Sequence, residues 1–181
     1  MVDRLDQDAN VKAVVLHCAG RTFIAGADVS EFGKPPLEPH LPDVILKLES
    51  ARKPWVAAIH GSALGGGFEV ALGCRSRVAV ASASIGLPEV NLGLVPGAGG
   101  TVRTPRLAPL AKAVELVTGG KPLRADKALQ AGLIDAVIDG DLLQGSRDFA
   151  LRVIDQPAPV PLRNRSVAPV DAGFWDETEA A

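Results

Sequence analysis

The stretch that most constrains this 181-residue chain is Ile59-His60-Gly61-Ser62-Ala63-Leu64-Gly65-Gly66-Gly67-Phe68-Glu69-Val70-Ala71-Leu72-Gly73. It reads as an apolar run, a glycine turn and then a helical pattern carrying one carboxylate. Phe68, Ala71 and Leu72 recur at helical spacing, which predicts a helix beginning near Gly66, where the first amide N–H groups lack intrahelical partners. Consecutive glycines clear the approach of Cβ atoms, so an oxygen can lie against the backbone at the positive end of the helix. Gly66 and Glu69, three residues apart, share one face, and Glu69 would overhang a group held by the Gly66 amide. Two readings stand side by side: a tight turn followed by a solvated glutamate, or an oxygen-binding turn with an acid/base group. The neighbours Gly67, Phe68, Val70, Ala71 and Leu72 include no cation, and a carboxylate in apolar surroundings is costly unless it is used.

The chain is long enough for one domain that buries roughly 70% of the surface its unfolded form exposes. With 19 Lys and Arg against 21 Asp and Glu, the net charge of −2 points to no nucleic-acid surface. Aromatic residues at 4% leave little for stacking bases or sugars. The charged start Met1-Val2-Asp3-Arg4-Leu5-Asp6 is unlike a secretory signal, and no apolar run reaches the roughly 18 residues of a membrane span. A soluble, cytoplasmic protein without a membrane partner is expected. Cys18 and Cys74 each lie in apolar sequence far from a second thiol or a spaced histidine, which predicts buried reduced thiols and no metal site.

In chain order, residues 2–10 read as the end of a helix running into a turn, and 11–18 as a buried strand. A loop of small residues, 19–27, precedes Asp28 and Glu31, which have the spacing of a capping box. Prolines 35, 36, 39 and 42 mark a loop, and Val44, Ile45, Leu48 and Ala51 a helix closed before Pro54. Strands are expected at 55–59, 77–81 and 133–138, with an extended piece at 83–87. Helical patterns cover 101–107, 110–118, 125–131 and 142–154. Residues 156–181, with prolines 157, 159, 161 and 169, read as a linker or tail with Trp175 as a lone anchor. By alternation alone the body, 1–155, is an α/β unit with a doubly wound sheet.

Standard motifs fail on the glycine loops. Gly61 to Gly67 lacks the Lys-Ser/Thr pair of a phosphate loop, and Gly97-Ala98-Gly99-Gly100-Thr101-Val102 has Val102 where a dinucleotide fingerprint needs glycine. His60 stands at the first glycine of a nucleophile elbow around Ser62, which argues against a serine hydrolase. His17 and His60 are read as core or strand-end residues. Two carboxylates remain, Glu69 and Glu89, each beside a glycine-rich turn. Glu89 follows Pro88, and turns at Gly86 and Gly93 can bring it back toward Glu69, although a solvated turn residue is the simpler reading of Glu89 alone.

From about Val11 to Ile154 the combination resembles the crotonase superfamily of enoyl-CoA hydratases and isomerases. Phe23-Ile24-Ala25-Gly26-Ala27-Asp28-Val29 is similar to its first oxyanion segment and Gly61 to Glu69 to its second. Ile85 to Thr101 is similar to the segment that carries its second carboxylate. The wording at Leu72-Gly73-Cys74, Gly86-Leu87-Pro88-Glu89 and Asp155-Gln156-Pro157 is most similar to the hydratase domain of multifunctional beta-oxidation enzymes, in which a 3-hydroxyacyl-CoA dehydrogenase domain follows. The resemblance implies an α/β spiral of β-β-α turns, truncated at both ends: the opening strand and helix and the C-terminal helices of the family would lie outside this chain. It implies that the N–H groups of Ala27 and Gly66 hold a thioester oxygen, that Glu69 and Glu89 are catalytic acids, and that Ala25, Asp28, Val29, Ser30, Ala63, Leu64, Gly65, Pro88 and Gly97 contact substrate. The implied reaction is hydration of trans-2-enoyl-CoA, with Δ3,Δ2-isomerisation open to the same carboxylates. The alternative is a catalytically weak CoA-thioester-binding or assembly fragment. No cofactor is expected, coenzyme A being part of the substrate. A homotrimer is expected, or union with the dehydrogenase domain.

Overall fold

The computed structural model describes residues 1–28, 33–35 and 37–179. Its strands are β1 (Val14–His17), β2 (Trp55–Ile59), β3 (Ser62–Leu64), β4 (Ser76–Val80), β5 (Ser84–Gly86), β6 (Leu123–Arg124) and β7 (Ala136–Ile138). Its helices are α1 (Val2–Gln7), α2 (Leu41–Ser50), α3 (Gly66–Gly73), α4 (Gly100–Arg103), α5 (Leu110–Gly119), α6 (Ala125–Gln130), α7 (Leu142–Val153) and α8 (Phe174–Glu179).

Two sheets result. The first is parallel, in the order β1-β2-β4-β7, and the second runs β3-β5-β6 with a parallel and an antiparallel pairing. β2 passes into β3 and β4 into β5, so the chain lays one strand in either sheet before a helix carries it on. After β1, Ile24 joins the second sheet through a parallel bridge to Ala63. This is the spiral of β-β-α turns that the resemblance implies, in place of the single doubly wound sheet suggested by alternation alone. The hand-over from β2 to β3 depends on Gly61, at φ +58°, where a Cβ would stand 2.9 Å from the Thr22 Cα.

All five residues of β2 are buried because the first sheet is covered on both faces. Alternate residues serve different cores. Trp55, Ala57 and Ile59 face the cluster containing Ile45, Phe68 and Leu72, whereas Val56 and Ala58 pack with Val78 against Ala150 and Val153 of α7. α2 lies on α3 through two small residues, with Leu41 at Gly66 and Ile45 at Gly73.

Several boundaries differ from expectation, each for a local reason. β1 begins at Val14, whose N–H donates to the Pro54 carbonyl at the start of its partner strand. The expected helix 101–107 becomes α4 followed by a 3-10 turn, Thr104–Arg106, because Pro105 has no N–H to continue the α ladder. β7 covers only Ala136–Ile138, since Leu133 N–H closes the end of α6 on the Ala128 carbonyl. The expected linker packs onto the body near Leu162, which is buried, and the Arg163 N–H donates to Glu49 at 3.0 Å. Trp175 is no anchor: it lies half exposed on α8 and meets Phe174 edge-on. The proposed capping box at Asp28 and Glu31 depends on Glu31, outside the described residues.

Cys74 is buried and Cys18 only half-buried, both as free thiols. His17 and His60 stack at 5.1 Å at the strand ends, and His60 Nε2 lies 3.2 Å from the Gly20 carbonyl oxygen. Among the described residues no helix is long and apolar enough to cross a membrane.

Candidate active site

Helix α3 begins at Gly66, as the glycine pattern predicts. Its N-cap, Gly65, has φ +53° and ψ −127°, a conformation that a Cβ would strain, and its N–H donates to the Gly86 carbonyl at 2.9 Å. Those two glycines join the helix start to β5 and hence to the chain leading into Glu89. The Glu89 carboxyl lies directly over Gly65, with Oε1 2.8 Å from where a Gly65 Cβ would be. A residue with a side chain at position 65 would therefore displace the acid.

Glu69 is 2% exposed, and its Oε1 accepts hydrogen bonds from the Ala98 N–H at 2.8 Å and the Gly100 N–H at 2.7 Å. These main-chain donors answer the question raised by its apolar sequence, for the carboxylate is desolvated and held by amides. Glu89 opens a 3-10 turn, Glu89–Leu92, closed by Gly93 at φ +69°. Burial raises the Glu89 carboxyl above its ordinary value; a hydrogen bond from its own backbone opposes this, and the Glu69 charge raises it further. Its Oε2 is buried, with no hydrogen-bond partner among the described residues. The two glutamates thus share one site, as the turns at Gly86 and Gly93 suggested.

The segment before Ala27 approaches the same helix start. Ile24 N–H donates to the Ser62 carbonyl and Leu64 N–H to the Ile24 carbonyl, so Ile24 is strapped along β3. Gly67 allows the contact, because a Cβ there would overlap the Ile24 carbonyl oxygen and lie 2.7 Å from its carbon. Two residues on, a Cβ at Gly26 would be 3.6 Å from the Leu64 oxygen, and Ala27 follows, exposed.

The other predicted residues differ in exposure. Ala63 is buried in β3, Leu64 and Pro88 are half-buried, and Ala25, Asp28 and Gly97 are exposed. Val29 and Ser30 lie outside the described residues. Sequence reasoning missed Ala98 and Gly100 as the holders of Glu69, although the Gly99-Gly100 doublet was a signal of close main-chain approach. It also missed Leu41, whose Cδ2 sits 3.0 Å from the position of a Gly66 Cβ.

This arrangement sets a carboxylate held by main-chain amides and a second carboxyl of raised proton affinity beside the start of a helix. Residues 1–159 match the family model described as enoyl-CoA hydratase/isomerase. The chain is 46% identical over 151 residues to the peroxisomal bifunctional enzyme of Homo sapiens, covering 83% of this chain and 21% of that protein. It is 40% identical to the peroxisomal bifunctional enzyme of Danio rerio, covering 99% of this chain and 25% of that one. It therefore spans about a quarter or less of these curated relatives. The solved enoyl-CoA hydratase of Bacillus anthracis superposes with a TM-score of 0.79 at 32% identity, over 99% of this chain and 74% of that one. On sequence and fold, the chain belongs to the enoyl-CoA hydratase/isomerase family.

Proposed function

We propose that this chain hydrates trans-2-enoyl-CoA thioesters to 3-hydroxyacyl-CoA. The observation that carries the reading is the meeting of Glu69 and Glu89 at the glycine start of α3. The thioester oxygen is taken by the N–H groups of Ala27 and Gly66. A water oxygen bonds to the β-carbon, the double-bond electron pair moves through the α-carbon onto the thioester oxygen, and the two amides stabilise the resulting enolate. Each donor of this kind contributes roughly 3 kcal/mol.

Glu89 takes a proton from the attacking water, for which raised proton affinity suits it. Glu69, held by two amides, positions that water with it. The α-carbon receives a proton from the glutamate pair as the enolate collapses, and the pair returns to its starting state by proton exchange with solvent. Shuttling a proton between α- and γ-carbons by the same groups gives Δ3,Δ2-isomerisation. The remaining predicted residues, from Ala25 and Asp28 through Gly97, line the path of the thioester. No separate cofactor enters this scheme. A cytoplasmic location, read from the charged start of the sequence, and a homotrimeric or domain-fused assembly, implied by the family, belong to the same proposal; some relatives are described as peroxisomal.

The test measures crotonyl-CoA hydration by the wild type, Glu69→Gln and Glu89→Gln, with crotonyl-CoA thermal-shift titration alongside. Each substitution is expected to lower turnover by about 10² or more. Near-normal turnover in either variant removes that residue from the mechanism. Ligand-induced stabilisation without wild-type turnover would favour a thioester-binding fragment.

A further inference from the structure

We infer that Arg103 and Glu49 form a buried strut whose task is to position Glu69 for catalysis, and that the chain around Arg163 is part of it; the inference rests on the hydration reading above. The Arg103 and Glu49 side chains are only 5% and 4% exposed and pair through two contacts, Nη2 to Oε2 at 2.8 Å and Nε to Oε1 at 3.2 Å. The remaining nitrogen, Nη1, donates to the Ala98 carbonyl at 3.2 Å and the Gly99 carbonyl at 3.5 Å. Those carbonyls belong to the loop whose amides hold Glu69. Gly99, at φ +99°, makes room for the guanidinium, since a Cβ there would overlap Nη1.

The linkage is closest at one peptide group. The Gly99 carbonyl that accepts from Arg103 and the Gly100 N–H that donates to Glu69 Oε1 belong to the same amide. A cation at the oxygen end polarises the amide and strengthens its donor end. The strut thus fixes the loop in space and also tightens its hold on Glu69. Glu49 is braced from outside the site as well: the Arg163 N–H donates to Oε1 at 3.0 Å, and its guanidinium lies 3.7 Å from Oε2.

A buried ion pair is weak evidence of stabilisation, because well-packed apolar residues often serve the fold as well. Its orientation here supplies the other reason to keep it. The planar fork of arginine serves Glu49 and two carbonyls at once, which a lysine point charge cannot do. Arg103 touches no reacting atom and is a positioning residue.

The test compares wild-type protein with Arg103→Lys and Glu49→Gln in crotonyl-CoA hydration and in residue-resolved hydrogen exchange. In folded Arg103→Lys, kcat is expected to fall about tenfold or more with KM within about twofold. The amides of Ala98 and Gly100 should exchange faster while those of α5 do not. Unchanged kcat or unchanged protection at those two amides overturns the inference. If Arg103→Lys fails to fold, the same readouts on Glu49→Gln decide. If the wild type shows no hydration, the functional reading fails, and the exchange comparison still decides the strut.

Discussion

Gly67→Ala puts the smallest possible side chain where the structure has least room. The new methyl would overlap the Ile24 carbonyl oxygen, with the Ile24 carbon and Cβ both at 2.7 Å. Neither neighbour can rotate away: one is main chain pinned to Leu64 N–H, the other the branched root of a side chain. The Phe23–Ala27 segment and α3 must separate, and overpacking of this kind costs about 1–3 kcal/mol. For a chain of this size that lowers the melting temperature by roughly 2–12 °C. The separation falls between the two donors assigned to the thioester oxygen, and a displacement on the order of 1 Å at reacting groups costs about 10²-fold in rate. The assay follows loss of the conjugated enoyl-thioester absorbance beside a melting curve, with Gly119→Ala as control, since no atom of the described residues lies within 4 Å of a Cβ there. Turnover within about threefold of wild type and an unshifted melt would refute the idea that Ala27 and Gly66 act on one atom.

The remaining predictions concern ionisation. Because the Glu89 carboxyl titrates above its ordinary value of 4.5 in the folded chain, the native state keeps a proton that the unfolded state has lost. Stability therefore falls as pH rises from that value through the folded one. Glu89→Gln does not ionise, so its melting temperature should exceed the wild type's by a margin that grows with pH above 4.5 and vanishes below it; a margin independent of pH would contradict this. For the same reason the acid limb of wild-type turnover should lie above the ordinary carboxylate range. Burial pushes the Cys74 thiol up to about 12, so a thiol reagent at pH near 8 should reach Cys18 alone until denaturant is added. Two rapidly reacting thiols in the native protein would be inconsistent with that burial.

Much of the site was legible because it rests on glycine, whose uses are few. Gly65 to Gly67 before a helical apolar pattern announced both the start of α3 and a close main-chain approach. The apolar setting of Glu69 announced a desolvated carboxylate but not its partners, because main-chain donors from residues 98 and 100 leave no side-chain signature. β3 and β6, three and two residues long, are too short for an alternating pattern, so the second sheet was invisible to periodicity and came only with the resemblance. Proline count made the tail read as a linker, yet Leu162 is buried and Glu49 accepts from Arg163, interactions that depend on long-range placement.

The Gly65 turn has a bearing on how such a site can diversify. The helix start and the Glu89 acid press on each other with no intervening side chain. Neither can be reshaped alone, and selection for a new substrate has nothing adjustable to act on there. At Gly66 the neighbour is instead the far end of Leu41, a branched alkyl group that can be shortened, lengthened or swung aside without touching the machinery. A change at position 41 can therefore alter the space above Gly66 while the Gly65 turn and the Glu89 carboxyl keep their places.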